Sequence, residues 1–303
     1  MKYQKLKISY SRKIFKSWNS INGFTLIEML IAVLLSTILV IIIFEFFDYQ
    51  QKNYNLQDQL TEMQQNLRVG MDALSRDLRM VGYGVPSVIN PSAIVKITSA
   101  TNNSITYLTN YSDVYSQLSG SYTGGTTLSV NSRNGFKGSD VIYITDGSKW
   151  AQTTISSSYT SATGAGPITI SSALSNPSYV PGTTVHVVNT IIYTIDTTDK
   201  ELTRNKDSTG ADPVCNNVDY LQFKYYDKNN ALLSNPVPYT GVNLNSTQRS
   251  DVKRIHILLV GRTSKIEKGY TCSGNYDTGI PYPSDSYHRT RLETDIMLRN
   301  LAD

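Results

Sequence analysis

The side chains able to do chemistry are few and scattered. Histidine occurs three times, at His186, His256 and His288, with no spacing that would set two imidazoles on one metal. His256 falls in an alternating stretch and reads as a structural or surface residue of a strand. No Gly-x-Ser-x-Gly, phosphate loop or zinc motif occurs, so no nucleophile constellation of a hydrolase is in view. "DKNNALL" (227–233) and "DTTDKE" (196–201) carry oxygen ligands, but not at the spacing of a calcium loop. Both read first as hairpin turns and only second as weak calcium sites. The expectation is a chain that is no enzyme and holds no cofactor or metal.

One acid stands out by its position. "NGFTLIEML" (22–30) opens an apolar run, Phe24–Phe47, and Glu28 lies inside it. As a helix at about 1.5 Å per residue, that run reaches roughly 36 Å, enough to cross a hydrocarbon core. A carboxylate there costs roughly 2.5–3.5 kcal/mol on insertion scales and is functional by default; the bland alternative is snorkelling to the interface. No small-x-small cleavage site follows the run, as it would in a secretory signal. No Gly or Pro interrupts the chain from Phe24 to Val69, so the helix continues.

Charge is divided unevenly. The chain has 28 basic and 24 acidic residues. Lys2, Lys5, Lys7, Arg12, Lys13 and Lys16 precede Gly23 with no acid among them, which leaves a slightly acidic body. Such a body gives no electrostatic case for nucleic-acid binding. The basic end reads as a flank retained in the cytoplasm under the positive-inside rule. Everything after the apolar run is then translocated, and an even pair of cysteines there, Cys215 and Cys272, favours a disulfide.

"GFTLIEML" resembles the class III signal of type IV pilins and of type II secretion pseudopilins. The likeness implies that a prepilin peptidase cuts between Gly23 and Phe24 and N-methylates Phe24. It also implies an assembly contact made by Phe24, Thr25 and Glu28: the new Phe24 amine of one subunit meets the Glu28 carboxylate of the next. Each charge offsets the other's desolvation, and only one axial stagger pairs them. "QQNLRVGMDALSRDLRMVGYG" (64–84) and the closing "TDIMLRNL" (294–301) are similar to PilW-type minor pilins. Pseudopilin J of type II secretion shares the weaker Leu-x-Arg-Asp-Leu part. No proline sits at the outer end of the membrane segment, unlike many major pilins. Arg76, Asp77 and Arg79 read either as a solvated charged face or as a subunit contact.

The elements that must carry these residues follow from periodicity. Leu56, Leu60, Met63, Leu67, Met71, Leu74 and Leu78 form one apolar stripe on a helix that Gly82, Gly84 and Pro86 end. Beyond residue 85, short strands are expected at 94–98, 104–108, 126–130, 141–145, 168–171 and 184–188, with loops at 111–125 and 156–166. Period-two alternation at Leu221, Phe223 and Tyr225, at Ile255, Ile257 and Leu259, and at Leu292, Ile296 and Leu298 gives a sheet with one face for the helix and one for water. The expected fold class is α+β and pilin-like: a long N-terminal helix packed on an antiparallel sheet, with an enlarged β-rich insertion. The expected divisions are a leader at 1–23, a membrane and assembly helix at 24–47, an amphipathic helix at 48–85, the insertion at 86–189 and the rest of the sheet at 190–303.

The resemblance further implies a minor pilin that acts in pilus initiation at or near the tip. Its partners would be the peptidase, other minor and major pilins and the inner-membrane assembly platform. The chain would be single-pass in the bacterial inner membrane, its body in the periplasm and then on the cell surface. The alternatives are a J-like pseudopilin, or an anchored adhesin built on residues 86–189.

Overall fold

The structure, a computed structural model, describes residues 24–175, 178–233, 243–277 and 280–301. The leader, with Gly23, lies outside them. The chain divides into two units, residues 1–55 and 56–303. In chain order the elements are α1 (Leu26–Arg79), β1 (Ile97–Ala100), β2 (Ser104–Thr109), β3 (Tyr115–Gln117), β4 (Thr127–Val130), β5 (Val141–Thr145), β6 (Trp150–Thr154), β7 (Gly166–Thr169) and β8 (Thr184–Val187). Then follow β9 (Asn189–Asp196), β10 (Glu201–Lys206), β11 (Ala211–Asn216), β12 (Val218–Tyr226), α2 (Ser246–Asp251), β13 (Arg254–Arg262), β14 (Asn275–Asp277), β15 (Ile280–Pro281) and β16 (Arg289–Met297).

In the first unit, the apolar side chains of α1 from Leu26 to Phe47 are exposed. A run of leucines and isoleucines with no core to enter needs lipid or other chains around it. Its two hydroxyls do not go unpaired. Ser36 and Thr37 each donate to the Val33 carbonyl at 2.8 Å, the back-bonding that lets such residues sit in an apolar helix.

In the second unit, the rest of α1 lies on antiparallel sheet. One sheet has the order β1-β2-β9-β10-β11 and another β12-β13-β16. Met63, Leu67, Met71, Leu74 and Leu78 share one core with Ile105, Tyr193, Leu202, Phe223, Ile257 and Leu259. Leu56 is half-buried, and Leu60 packs on that core from its edge. The fold is therefore α+β, a long N-terminal helix over antiparallel sheet. Gly70 marks the closest approach. A Cβ there would fall inside the van der Waals shell of Cys215 Sγ and 3.3 Å from Leu259 Cδ2, so the helix can settle on β11 only where it has no side chain.

Several expectations need correction. First, the Cys215–Cys272 disulfide is not formed: both are free, buried thiols. Cys215 belongs to the helix–sheet core. Cys272 sits instead on the loop before β14, where its amide donates to the Asp285 carbonyl at 2.8 Å. Desolvation pushes the Cys215 thiol up to about 12, so it behaves as a small core residue and not as a thiolate.

Second, residues 97–109 do not belong to the insertion. β1 and β2 join the five-stranded sheet, Ile105 opposite Tyr193 and Tyr107 opposite Ile191. Third, the outer face of β13 is not all in water. Leu258 and Val260 are buried under Tyr276, because the excursion that carries β14 and β15 folds back over the three-stranded sheet.

The inserted part is a closed barrel. Four strands run β3-β8-β5-β6 and two more β4-β7. Isolated bridges join the two sets on both sides, Leu118 with Val130 and Ile155 with Ile170. Flanking backbone bonds support each seam: Ser119 N to Ser129 O and Asn131 N to Gln117 O at 2.9 Å on one side, Ser156 N to Thr169 O at 2.9 Å on the other. All six strands are thus paired on both edges, which removes the exposed edges of an open sheet. Leu118, Leu128, Phe136, Ile142, Ile144, Ile168 and Val185 fill the inside. The stretch at 111–125, expected as loop, supplies β3.

The barrel's two ends meet. Val187 N donates to Val114 O at 3.0 Å. Asn110, fully buried, holds the entry by accepting from Val114 N at 3.1 Å and donating to Val114 O at 3.0 Å. The turn after α1 seats on this joint. Gly84 has φ +72, and a Cβ there would approach Asn110 Cβ to 2.7 Å. The Tyr83 hydroxyl donates to Asp113 at 2.9 Å.

Candidate functional site

Of the expected site residues, the structure describes Phe24, Thr25, Glu28, Cys215 and Cys272, while Gly23 lies outside the described residues. Phe24 and Thr25 stand before the first helical residue, Leu26, and Phe24 is 86% exposed. The bond expected to be cut therefore lies directly before two non-helical residues.

Glu28 has a local partner in Thr25. Its amide donates to Thr25 Oγ1 at 3.3 Å, and its carboxylate accepts from Thr25 N at 3.1 Å. Thr25 Oγ1 also donates to the same carboxylate oxygen at 3.2 Å. Thr25 is the N-cap and Glu28 the third helical residue, so the pair forms a capping box. Helix α1 leaves its first amides without intrahelical acceptors, and in an apolar medium these are expensive to leave unmade. The Thr-x-x-Glu spacing satisfies two of them and puts negative charge at the positive end of the helix dipole. The signal was legible in "TLIE" (25–28), whose four residues are a capping box directly before an apolar run.

The helix ends with the opposite charge, Arg76 and Arg79 in its last turn. Between them lies Asp77, and it is not solvated. It is 1% exposed and faces the sheet. The Tyr193 hydroxyl donates to Asp77 Oδ2 at 2.6 Å and Arg204 Nη1 to the same oxygen at 3.3 Å. Arg76 Nε reaches Oδ1 at 3.2 Å, and Arg204 Nη1 also donates to the Tyr111 hydroxyl at 2.6 Å. Burial, and then the Asp77 carboxylate, push the Tyr193 hydroxyl far above the ordinary tyrosine range, so it remains a donor. A paired, buried acid of this kind fixes how the helix sits on the sheet. Asp77 is thus internal cement, while Arg79 is exposed. The reading of 76–79 as one charged face holds for the arginines and fails for Asp77.

The remaining candidates are separate from this site and from one another. His186 stacks on Tyr115 in the barrel, and desolvation lowers its pKa. His256 lies 3.4 Å from Asp295 across β13 and β16. His288 stacks on Tyr270 and meets Glu267 at 2.5 Å. The two acid-bearing turns use their acids on backbone. Asp227 accepts from the amides of Asn229 and Ala231, both at 2.8 Å. Asp196 accepts from Thr198 N at 2.8 Å and Asp199 N at 3.2 Å, bonds that lower its pKa. These are the side-chain-to-backbone bonds of turns.

Residues 18–44 match the model of the prokaryotic N-terminal methylation motif. No curated protein matches the chain. Among solved structures, a type IV-like pilin from Thermus thermophilus superposes with a TM-score of 0.37 at 12% identity, covering 82% of this chain and 100% of that one. At that level the likeness carries no argument, and the architecture rests on the strand order and register given above. The motif and the apolar helix that follows it fit anchoring in a membrane.

Proposed function

We propose that this chain is a minor pilin of the PilW type. A prepilin peptidase cuts it between Gly23 and Phe24 and methylates Phe24. It waits in the inner membrane on Phe24–Phe47, with residues 56–303 in the periplasm, and then joins other minor and major pilins on the assembly platform at the tip of a growing pilus. Its work is structural. The observation that carries this reading is the N-terminal motif, matched over residues 18–44. Its acid caps the head of a helix that is exposed and uncharged for the next sixteen residues, up to Phe44.

The physical logic is a two-stage use of Glu28. Before cleavage the carboxylate is held by Thr25. Cleavage places an α-ammonium on Phe24, one residue before the cap, and supplies a cation that a neighbouring subunit's Glu28 can meet. In a medium of low dielectric such a pair is strongly attractive. What it adds above all is register, since a mis-staggered helix leaves both charges unpaired.

Mass spectrometry of the mature chain tests the first step. The expected result is a polypeptide that begins with N-methylated Phe24; a chain that retains its leader refutes the proposal. Deleting the gene tests the second and is expected to remove surface pili. Loss of secreted enzymes with pili intact would assign the chain to type II secretion instead, as a J-like pseudopilin.

A further inference from the structure

Among the described residues, the body has one long strand edge with neither bulge nor cover, and the charges that guard it, Arg289, Arg291, Glu293 and Asp295, are all engaged in ion pairs. β16 ends the sheet β12-β13-β16 and pairs with β13 over nine consecutive residues without a bulge. Other edges of the molecule are broken. The β1–β2, β10–β11 and β12–β13 ladders all carry register shifts, and the barrel has no edge at all. Among the described residues, no backbone hydrogen bond reaches Arg289–Met297 except from β13. A long, regular, unpaired edge is a template for another strand.

The ground beside that edge is also uncovered. Helix α1 and β16 bound an open groove of about 520 Å3. Leu292 belongs by register to the helix-facing side, opposite the fully buried Leu259, yet it is 36% exposed. The helix does not reach far enough across the sheet to cover it. The groove's other wall is a stripe of charge at helical spacing, Arg68, Asp72, Arg76 and Arg79. Arg76 is committed to Asp77. Arg68 and Arg79 have no ion pair among the described residues. On the strand side, Glu293 is already paired with Arg291. Two guanidiniums without an ion pair therefore face the groove against one carboxylate in the same state, Asp72, which leaves the wall net positive.

We infer that β16 and this groove bind an extended, acid-bearing segment of another protein, which adds to the sheet as a fourth strand. The edge calls for backbone donors and acceptors in an extended chain, which a helix cannot supply because its own are used internally. Leu292 and the groove floor take an apolar side chain from that segment. Arg68 and Arg79 take its carboxylates, in the bidentate manner that suits guanidinium. This surface is distinct from the N-terminal contact of the proposed assembly, and it stands or falls independently of that assignment.

The test uses the full chain in detergent and three labelled nine-residue peptides. One carries aspartate, valine and aspartate in turn at every second position, so that all of them face the helix, with threonine between them; one has lysine in place of aspartate, and one is the aspartate peptide with a central proline. Binding is read by fluorescence anisotropy, and backbone pairing by amide hydrogen exchange across residues 289–297. The aspartate peptide is expected to bind at least about tenfold more tightly than either of the others and to slow exchange in β16. The double variant Arg68→Gln, Arg79→Gln is expected to weaken it by about tenfold or more; both side chains are exposed, so the fold is spared. Equal binding of the lysine peptide overturns the charge assignment. Binding that leaves β16 exchange unchanged, or that survives the proline, overturns the added strand and points to a helical or side-chain-only occupant.

Discussion

Asp77→Ala is expected to lower the stability of the body by about 3–5 kcal/mol, the usual cost of breaking a buried pair from one side. The carboxylate is 1% exposed, and Arg204 beside it is 25% exposed. Its removal leaves the Tyr193 hydroxyl without its acceptor and Arg204 with only the Tyr111 hydroxyl. Arg76 adds little, because at 69% exposure its ion pair is screened by water. Asp77→Asn keeps an oxygen for Tyr193 and should lose distinctly less. Urea unfolding of the full chain in detergent, followed by tyrosine fluorescence, measures both; an alanine variant within about 1 kcal/mol of the parent would show that the cluster is not cement. The same neighbourhood predicts an alkaline limit. Tyr107, Tyr193 and Tyr225 all titrate above the ordinary value of 10.0 in the folded chain. Above pH 10 the unfolded chain therefore gives up protons that the folded chain keeps. Stability is fully present below pH 10 and falls as pH rises beyond it, which unfolding curves between pH 8 and pH 11 will show as a declining midpoint.

Glu28→Gln separates the two uses of that residue. Glutamine keeps an acceptor for Thr25 N, so the capping box survives, and helix content and cleavage after Gly23 should be unchanged. The charge is gone, however, and a neighbour's Phe24 ammonium is left uncompensated in an apolar bundle, a loss of about 3–5 kcal/mol per contact. Incorporation into sheared pili should fall to near zero while the mature chain accumulates in the membrane, as immunoblots of the two fractions would read. Glu28→Ala removes both uses and should add a weaker helix start, by about 1 kcal/mol. If Glu28→Gln assembles like the parent and only Glu28→Ala fails, the cap is the whole of Glu28's role and the intersubunit pair is wrong.

The parts legible in the sequence were those with a strong period. The stripe from Met63 to Leu78 reads at helical spacing and is buried as read, because nothing but one sheet face competes for it. β5 was placed to the residue at 141–145, and the Asp196 turn to its hairpin. What failed did so for nonlocal reasons. β3 has three residues, too few to show alternation, and exists because β8 and a bridge to Val130 hold it. β1 and β2 sit next to the barrel in sequence but beside β9 in space. Asp77 looks like any charge between two arginines until Tyr193 and Arg204, more than a hundred residues later, arrive opposite it. At the N-terminus the membrane helix and its acid are plain in the sequence, and so is the Thr25-x-x-Glu28 spacing of the capping box, which the structure closes three residues apart. The cysteines show the limit of counting: an even number set an expectation that only three-dimensional placement could test.

The single hydrogen bond between Val187 and Val114 has a mechanical meaning. Because the barrel begins and ends at one point, tension in the backbone of the main body enters and leaves it across that joint, and none of its six strands lies in series with a pull. A force able to strain the sheet under α1 would load the barrel's core only after that joint opens, and of its outer surface only the part away from β5 and β6 is free to change, since Tyr143 and Trp150 tie that side to Val85, Asn90 and Ser92.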